Sequence, residues 1–227
     1  MRVRGRAIGL LLGWLALGRA ASPAEAPEIV LLLEASFTLL PGQVGEAAPH
    51  RFALLEDGSV YVGGTSDMAA GRLAGPEVRG LEQELDRVRK LKGLGSSVSF
   101  GPGEARYRLS ARKGRPLDIT ATGDPAGAPI AVKPIASLIA SLAAFSHPSL
   151  RPYRPAFYAL RAQEGKLAGG CRPWSFAMPP DQAVSGPQSI PGSVVSGWPT
   201  GADPASVCSG GKTYVVTLRP LLPGERP

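Results

Sequence analysis

The sequence predicts an α+β fold: a largely antiparallel sheet with two helices on one side and a disulfide-tied C-terminal loop region. Three observations predict it. Apolar alternation brackets glycine-containing turns in "RFALLEDGSVYVGG" (51–64) and again in "ARYRLSARKGRPLDITATG" (105–123). Each hairpin pattern is followed by apolar residues at helical spacing. Two cysteines, Cys171 and Cys208, then bracket a stretch rich in proline and glycine.

The chain opens with Arg2, Arg4 and Arg6, an apolar run from Ala7 to Leu17, and small residues around Ala20, Ser22 and Ala24. That order of charge, short apolar core and small residues is a secretory signal peptide. We expect it to cover 1–24 with cleavage between Ala20 and Ala24, followed by one exported domain over 25–227. The run is too short to span a bilayer, which needs roughly 20 residues. Removing Arg2, Arg4, Arg6 and Arg19 lowers the formal charge from +7 to 7 − 4 = +3. Nucleic-acid binding normally shows a concentrated basic stripe within a recognisable module, and no such module is present. The lack of asparagine and the excess of arginine over lysine point to a GC-rich or heat-adapted bacterial source.

The first strand-strand-helix unit spans 28–95. Its continuous apolar run Ile29–Leu33 suits a buried strand. Phe52 and Leu54 alternate before Asp57-Gly58, and Val60 and Val62 after it. Asp-Gly in that setting predicts a tight, exposed type I′ turn with positive φ at both residues. The carboxylate of Asp57 thus has a structural reason to be there. A helix over "PEVRGLEQELDRVRKLKGLG" (76–95) follows from Pro76 in the first turn and an apolar stripe at Val78, Leu81, Leu85 and Val88. Acids crowd its start and bases its end, as the helix dipole favours.

The second unit spans 105–147, with Tyr107, Leu109 and Ala111 before a Lys113-Gly114 turn and Leu117 and Ile119 after it. Its helix, "PIASLIASLAAF" (134–145), carries Ile135, Leu138, Leu142 and Phe145 on one face. A shift of 57 positions lays Val60, Val62, Val78, Leu81, Leu85 and Val88 onto Leu117, Ile119, Ile135, Leu138, Leu142 and Phe145. Two explanations stay open: a duplicated strand-strand-helix unit, or the spacing that any hairpin with a covering helix would have. The second helix has no charged face, so we expect a cover on both sides, supplied by the C-terminal strands and loops of 155–227. In that region 157–160 and 212–222 read as strands. The segment between the cysteines holds seven prolines, four glycines and three charges and reads as irregular loop. An even cysteine count in an exported chain predicts the disulfide Cys171–Cys208.

The order "F-A-L-L-E-D-G-S-V-Y-V", an amphipathic helix, "Y-R-L-S-A" and the ending "L-R-P-L-L-P-G-E" resembles a group of uncharacterised exported bacterial proteins. Those proteins share an aromatic-plus-DG hairpin and a C-terminal R-P-L-L-P motif. The resemblance implies one exported domain and carries no assigned activity.

Chemical motifs are sparse. "SGGKT" (209–213) lacks the first glycine of a phosphate loop and precedes a strand instead of a helix. Ser110 to Lys113 and Ser209 to Lys212 match S-x-x-K spacing without its companion motifs. His50 and His147 have no zinc-ligand spacing around them, so no metal and no cofactor is expected. His147 stands where the second helix must stop before Pro148, which suggests a helix-end role. Two surfaces could bind: Arg106, Arg108 and Arg112, alternating along one strand toward an acidic polymer or envelope phosphate, and Trp174 and Trp198 in the cysteine loop. For the arginines the preferred reading is a solvated strand face whose charge guards an edge against stray pairing. For the tryptophans, with Phe176, covering the second helix is the preferred role. The expected function is a non-catalytic envelope or extracellular binding protein, monomeric, whose partner is an envelope component, protein or glycan. The alternative is a hydrolase in which a serine, His147 and a carboxylate meet only in space.

Overall fold

The protein is described by a computed structural model covering residues 27–37, 50–64, 68–167, 169–195, 198 and 204–227. The expected signal segment lies outside the described residues. Among the described residues the chain forms two mostly antiparallel sheets and three helices.

The first sheet begins with β1 (Ile29–Phe37), β2 (His50–Leu55), β3 (Ser59–Gly63) and β4 (Ala69–Arg72). Helix α1 (Gly75–Arg89) leads to β5 (Ser97–Ser99), β6 (Ala105–Ala111) and β7 (Leu117–Thr122), then to α2 (Lys133–Ala143) and β8 (Arg151–Pro152). Its strands lie in the order β5-β7-β6-β1-β2-β3-β4-β8. Period-two alternation sends Leu31 and Leu33, Phe52 and Leu54, Val60 and Val62, and Leu109 and Ile119 to one face. Both helices pack there. Leu85, Val88, Ile135, Leu138 and Leu142 are buried, while Val78, Leu81 and Phe145 are half-buried against the same core. Each fully buried Leu, Val or Ile contributes about 1.5–3 kcal/mol.

The two hairpin-helix units are alike in order but opposite in hand. β2 and β6 both pair antiparallel with β1, so they run parallel to each other. β3 lies outside β2 and β7 outside β6, on opposite sides of β1, yet both helices cover one face. A rotation that preserves strand direction and covered face would place the counterpart of β3 where β1 runs. No rotation superposes the units, so the match at 57 positions reflects the spacing of a covered hairpin and not a duplicated fold.

The first turn also differs from expectation. Only Gly58 has positive φ (84°), and the Gly58 amide donates to the Leu55 carbonyl at 3.0 Å. Glu56, Asp57 and Gly58 make a three-residue loop of type I turn plus left-handed residue. Asp57 accepts from the Ser59 amide and hydroxyl, both at 2.9 Å. The Ser59 amide bond above all holds its carboxyl below the usual range. Glu56 and Asp57 are exposed, but Gly58 is buried; its carbonyl accepts the Leu73 amide at 3.0 Å, and a Cβ built on it would lie 3.2 Å from the Leu73 carbonyl oxygen. The two-residue hairpin geometry with two positive φ values appears instead at Gly210-Gly211 (57° and 77°). "SGGKT" is therefore a hairpin tip.

The C-terminal region builds a second sheet with its own core: the expected strands at 157–160 and 212–222 take part, and the inter-cysteine segment, expected as irregular loop, adds short strands and a helix. β9 (Phe157–Glu164), β10 (Arg172–Pro173), α3 (Pro180–Ser185), β11 (Gln188–Pro191), β12 (Ala205–Ser209) and β13 (Lys212–Pro220) give the strand order β10-β12-β13-β9-β11. Cys171 and Cys208 are joined, with Cα atoms 5.6 Å apart, beside the parallel β10–β12 pair. Trp174, Phe176 and Trp198 do not cover α2. They pack on Leu160, Val207, Tyr214 and Val216 of their own sheet, with Trp174–Phe176 and Phe176–Trp198 ring centroids 5.1 and 4.9 Å apart. Ser137, Ala140 and Ser141 of α2 stay exposed. Small side chains present too little apolar area there to require a cover.

Candidate functional site

Three polar constellations stand out, and each is built by elements distant in sequence. The first lies where α2 hands the chain to β8. Phe145 packs edge-on against Phe52 at 4.9 Å, which turns the following residues back toward the start of α1. Pro148 and the Leu150 amide bond to the His147 carbonyl (3.1 Å) fix a tight turn. His147 Nε2 then lies 2.9 Å from Glu77 Oε1, and Nδ1 lies 2.7 Å from Ser149 Oγ. A serine, a histidine and a carboxylate are thus hydrogen-bonded in series, the order a hydrolase relay uses. His147 does not cap α2 as expected, since that helix ends at Ala143.

Every member of the series also has a structural partner. Glu77 Oε2 accepts the Ala74 amide at 2.7 Å, serving the first turn of α1, whose Ala74 has no capping oxygen of its own. That amide bond, then His147, holds the Glu77 carboxyl below its ordinary value. Ser149 Oγ accepts the Arg72 amide and faces the Arg72 carbonyl, both at 3.1 Å. Continuing the antiparallel β4–β8 register by two residues places Arg72 opposite Ser149 itself, so its side chain stands in for a ladder pair. The Ser149 amide also donates to Nδ1 at 3.2 Å, which makes Nδ1 the acceptor and Nε2 the donor to Glu77. With a single proton, Oγ can serve His147 or the Arg72 carbonyl, not both. A Cβ on Gly71 would come within 2.5 Å of Oγ, so the oxygen is pressed onto the backbone of β4. A nucleophile needs open approach, and this oxygen works as a strand-edge latch.

The second constellation is the outward face of β6. Arg106 and Arg108 are exposed on the side of the sheet away from the helices. Arg108 forks onto Asp118 at 3.2 and 3.0 Å, which raises its own pKa and lowers that of Asp118. Arg112 lies just beyond β6 and pairs with Glu28 at 2.8 Å. The three arginines therefore do not act as one cationic row. In register across this half of the sheet, Arg106 sits beside Ser36 and Thr122, and Arg108 beside Glu34 and Thr120. Ser97 and Ser99 of β5 continue the hydroxyl rows.

The other half of the same face is covered by the chain end, and here the third constellation sits. Ala53, Leu55, Tyr61, Met68 and Leu222 form a small cluster. Arg51, only 2% exposed, donates to both Glu225 oxygens at 3.0 and 3.1 Å and to the Pro220 carbonyl at 2.6 Å. Glu225 also takes Arg219 and the Leu222 amide (2.9 Å). Burial pushes the Glu225 carboxyl up, but Arg51, the amide bond and Arg219 outweigh it and hold it low. Tyr153 donates to the Leu221 carbonyl, and burial pushes its phenol up to about 12. The ending R-P-L-L-P-G-E is a clasp tying the second sheet to the first. Sequence inspection found the motif but not its partner, because Arg51 is 174 residues away.

Among the described residues no three His, Cys, Asp or Glu side chains converge as a metal ion would require, and no helix is long and apolar enough to cross a membrane. No family model, curated protein or solved structure matches the chain.

Proposed function

We propose that this chain is a non-catalytic binding protein of the bacterial envelope or extracellular space, and that the open half of its first sheet meets an anionic, hydroxyl-rich polymer. One observation carries the proposal: Arg106 and Arg108 stand exposed among Ser and Thr rows on a face whose other half the chain end covers. Guanidinium groups pair with sulfate, phosphate or carboxylate, and flanking hydroxyls donate and accept for sugar hydroxyls. The Arg108–Asp118 pair is exposed on both sides, so opening it costs about 1 kcal/mol or less. Export is supported by the charged and apolar N-terminus and by the Cys171–Cys208 bridge.

The test uses dextran sulfate and neutral dextran as probes. The mature chain is expected to bind the sulfated polymer, and Arg106→Ala with Arg108→Ala to weaken binding about tenfold. A control with Arg87→Ala and Lys90→Ala on α1 removes the same charge elsewhere and should bind nearly as before. Equal loss in both variants would leave only net charge and overturn the proposal.

The second reading, a hydrolase, has the Ser149–His147–Glu77 series in its favour. A fluorophosphonate that labels the wild type but not Ser149→Ala would establish it. The latch geometry predicts no label at Ser149.

A further inference from the structure

Among the described residues the two sheets leave four edges: β5 and β8 in the first, β10 and β11 in the second. Three of the four carry a proline, Pro152 in β8, Pro173 in β10 and Pro191 in β11. Proline lacks the amide proton and blocks the docking of another strand, a common way of blunting an edge. β5, Ser97-Val98-Ser99, carries no proline and no charge.

The backbone of β5 is directed accordingly. Among the described residues it pairs, in parallel, with β7 alone; the Thr120 amide bonds the Ser96 carbonyl, and the Phe100 amide bonds the Thr122 carbonyl, each at 2.8 Å. In such a ladder alternate residues serve one neighbour. The even-numbered groups face β7, and the amides and carbonyls of Ser97 and Ser99 face outward.

A cleft of about 310 Å³ runs along this edge. Ser97, Val98 and Ser99 all line it, although alternate side chains of a strand point to opposite faces, so the cleft follows the backbone edge. Leu91, Leu94 and Val132 supply apolar surface on its helix side. Ile130, between the lining residues Pro129 and Ala131 in sequence, is 93% exposed, the most exposed large apolar residue described. Lys92 is the one charged residue in the lining, and Lys90 and Lys133 stand exposed at flanking positions. Among the described residues no carboxylate lines the cleft.

We infer that β5 is a strand-docking edge that takes an extended peptide with alternating apolar side chains and a carboxylate at its end. The outward groups of Ser97 and Ser99 would supply backbone hydrogen bonds, the leucines and Ile130 the apolar contacts, and Lys92 the charge that selects a carboxylate. Addition of a strand to an open edge is a recurrent mode of peptide recognition. This edge borders the Arg106 and Arg108 face, whose hydroxyl rows Ser97 and Ser99 continue, but peptide docking along its backbone does not depend on what that face binds.

The probe is a fluorescein-labelled synthetic peptide, Thr-Val-Thr-Val-Thr-Val, with a free C-terminus, and its C-terminally amidated form. Fluorescence anisotropy with the full mature chain should show binding of the free acid. Ser99→Pro removes one outward amide without touching the β7 ladder and should weaken binding about tenfold with an unchanged melting midpoint. Lys92→Glu should weaken the free acid but not the amidated peptide, which keeps the test decisive if the proline variant folds poorly. Arg106→Ala with Arg108→Ala should bind the peptide as wild type does, whatever happens to dextran sulfate. Undiminished binding to Ser99→Pro, or equal effects of Lys92→Glu on both peptides, would overturn the inference. So would concentration-dependent dimerisation abolished by Ser99→Pro, because the occupant would then be a second copy of the chain.

Discussion

Glu225→Gln tests the clasp between the sheets. In the wild type one carboxylate neutralises Arg51, holds Arg219 and caps the Leu222 amide. Glutamine keeps the shape and one carbonyl oxygen, but it loses the charge and turns an NH2 toward two guanidinium groups. Arg51 is 2% exposed, so its charge would remain buried without a counter-ion. Breaking a buried pair on one side costs about 3–5 kcal/mol. Arg51 would keep the Pro220 carbonyl, and Glu225 is 19% exposed, so water can reach part of the gap. The lower end, about 3 kcal/mol, is therefore expected. With a urea slope of about 2–3 kcal/mol/M, the unfolding midpoint of the disulfide-bonded chain should fall by about 1 M or more. Arg219→Gln removes a more exposed partner and should cost about 1 kcal/mol or less. A Glu225→Gln midpoint within about 0.2 M of wild type, under 1 kcal/mol at such a slope, would refute the clasp.

Other perturbations follow from the same contacts. The folded Glu225 carboxyl lies below its ordinary 4.5, so its contribution is complete above that value and is lost as pH falls through the lowered one. Urea stability should decline from neutral pH toward pH 3, and less steeply in Glu225→Gln; parallel declines would contradict this. Gly58→Val forces a β-branched side chain into positive φ with its Cβ 3.2 Å from the Leu73 carbonyl, and should cost about 1 kcal/mol or more by thermal melting. Reducing Cys171–Cys208 should destabilise by about 4 kcal/mol on the chain-entropy model. Hydrogen exchange should then show protection lost first in the second sheet, and even loss across both sheets would count against a local bridge.

What the sequence made legible was local. Alternation about a glycine turn, and apolar stripes such as Ile135, Leu138 and Leu142, encode strands and helices within a dozen residues, and these appear with small shifts of boundary. Turn type was harder. Asp57-Gly58 resembles a two-residue hairpin tip, but Glu56 joins the loop, and Gly210-Gly211 adopts the double positive φ. In the second sheet β9 and β13 were legible as strands, but β10 and β11 are short and end in proline, leaving no periodic signal between the cysteines. Its core is made instead by Trp174, Phe176 and Trp198 around β9, β12 and β13. The polar constellations were least legible. Glu77 and His147 are 70 residues apart, and nothing in either local sequence announces the other. "FSHPSL" carried a partial signal, since a His-Pro-Ser turn brings the Ser149 hydroxyl to the imidazole, but the anchoring groups on Arg72 belong to another strand.

Chemical-shift mapping of the isotope-labelled chain over 25–227 with a short dextran sulfate oligomer is the most direct measurement. The proposed face predicts perturbations at Arg106, Arg108, Thr120 and Thr122, with little change at His147 and Ser149. Perturbations centred on His147, Ser149 and Glu77, or spread evenly over surface lysines and arginines, would contradict a specific binding face on the open half of the sheet.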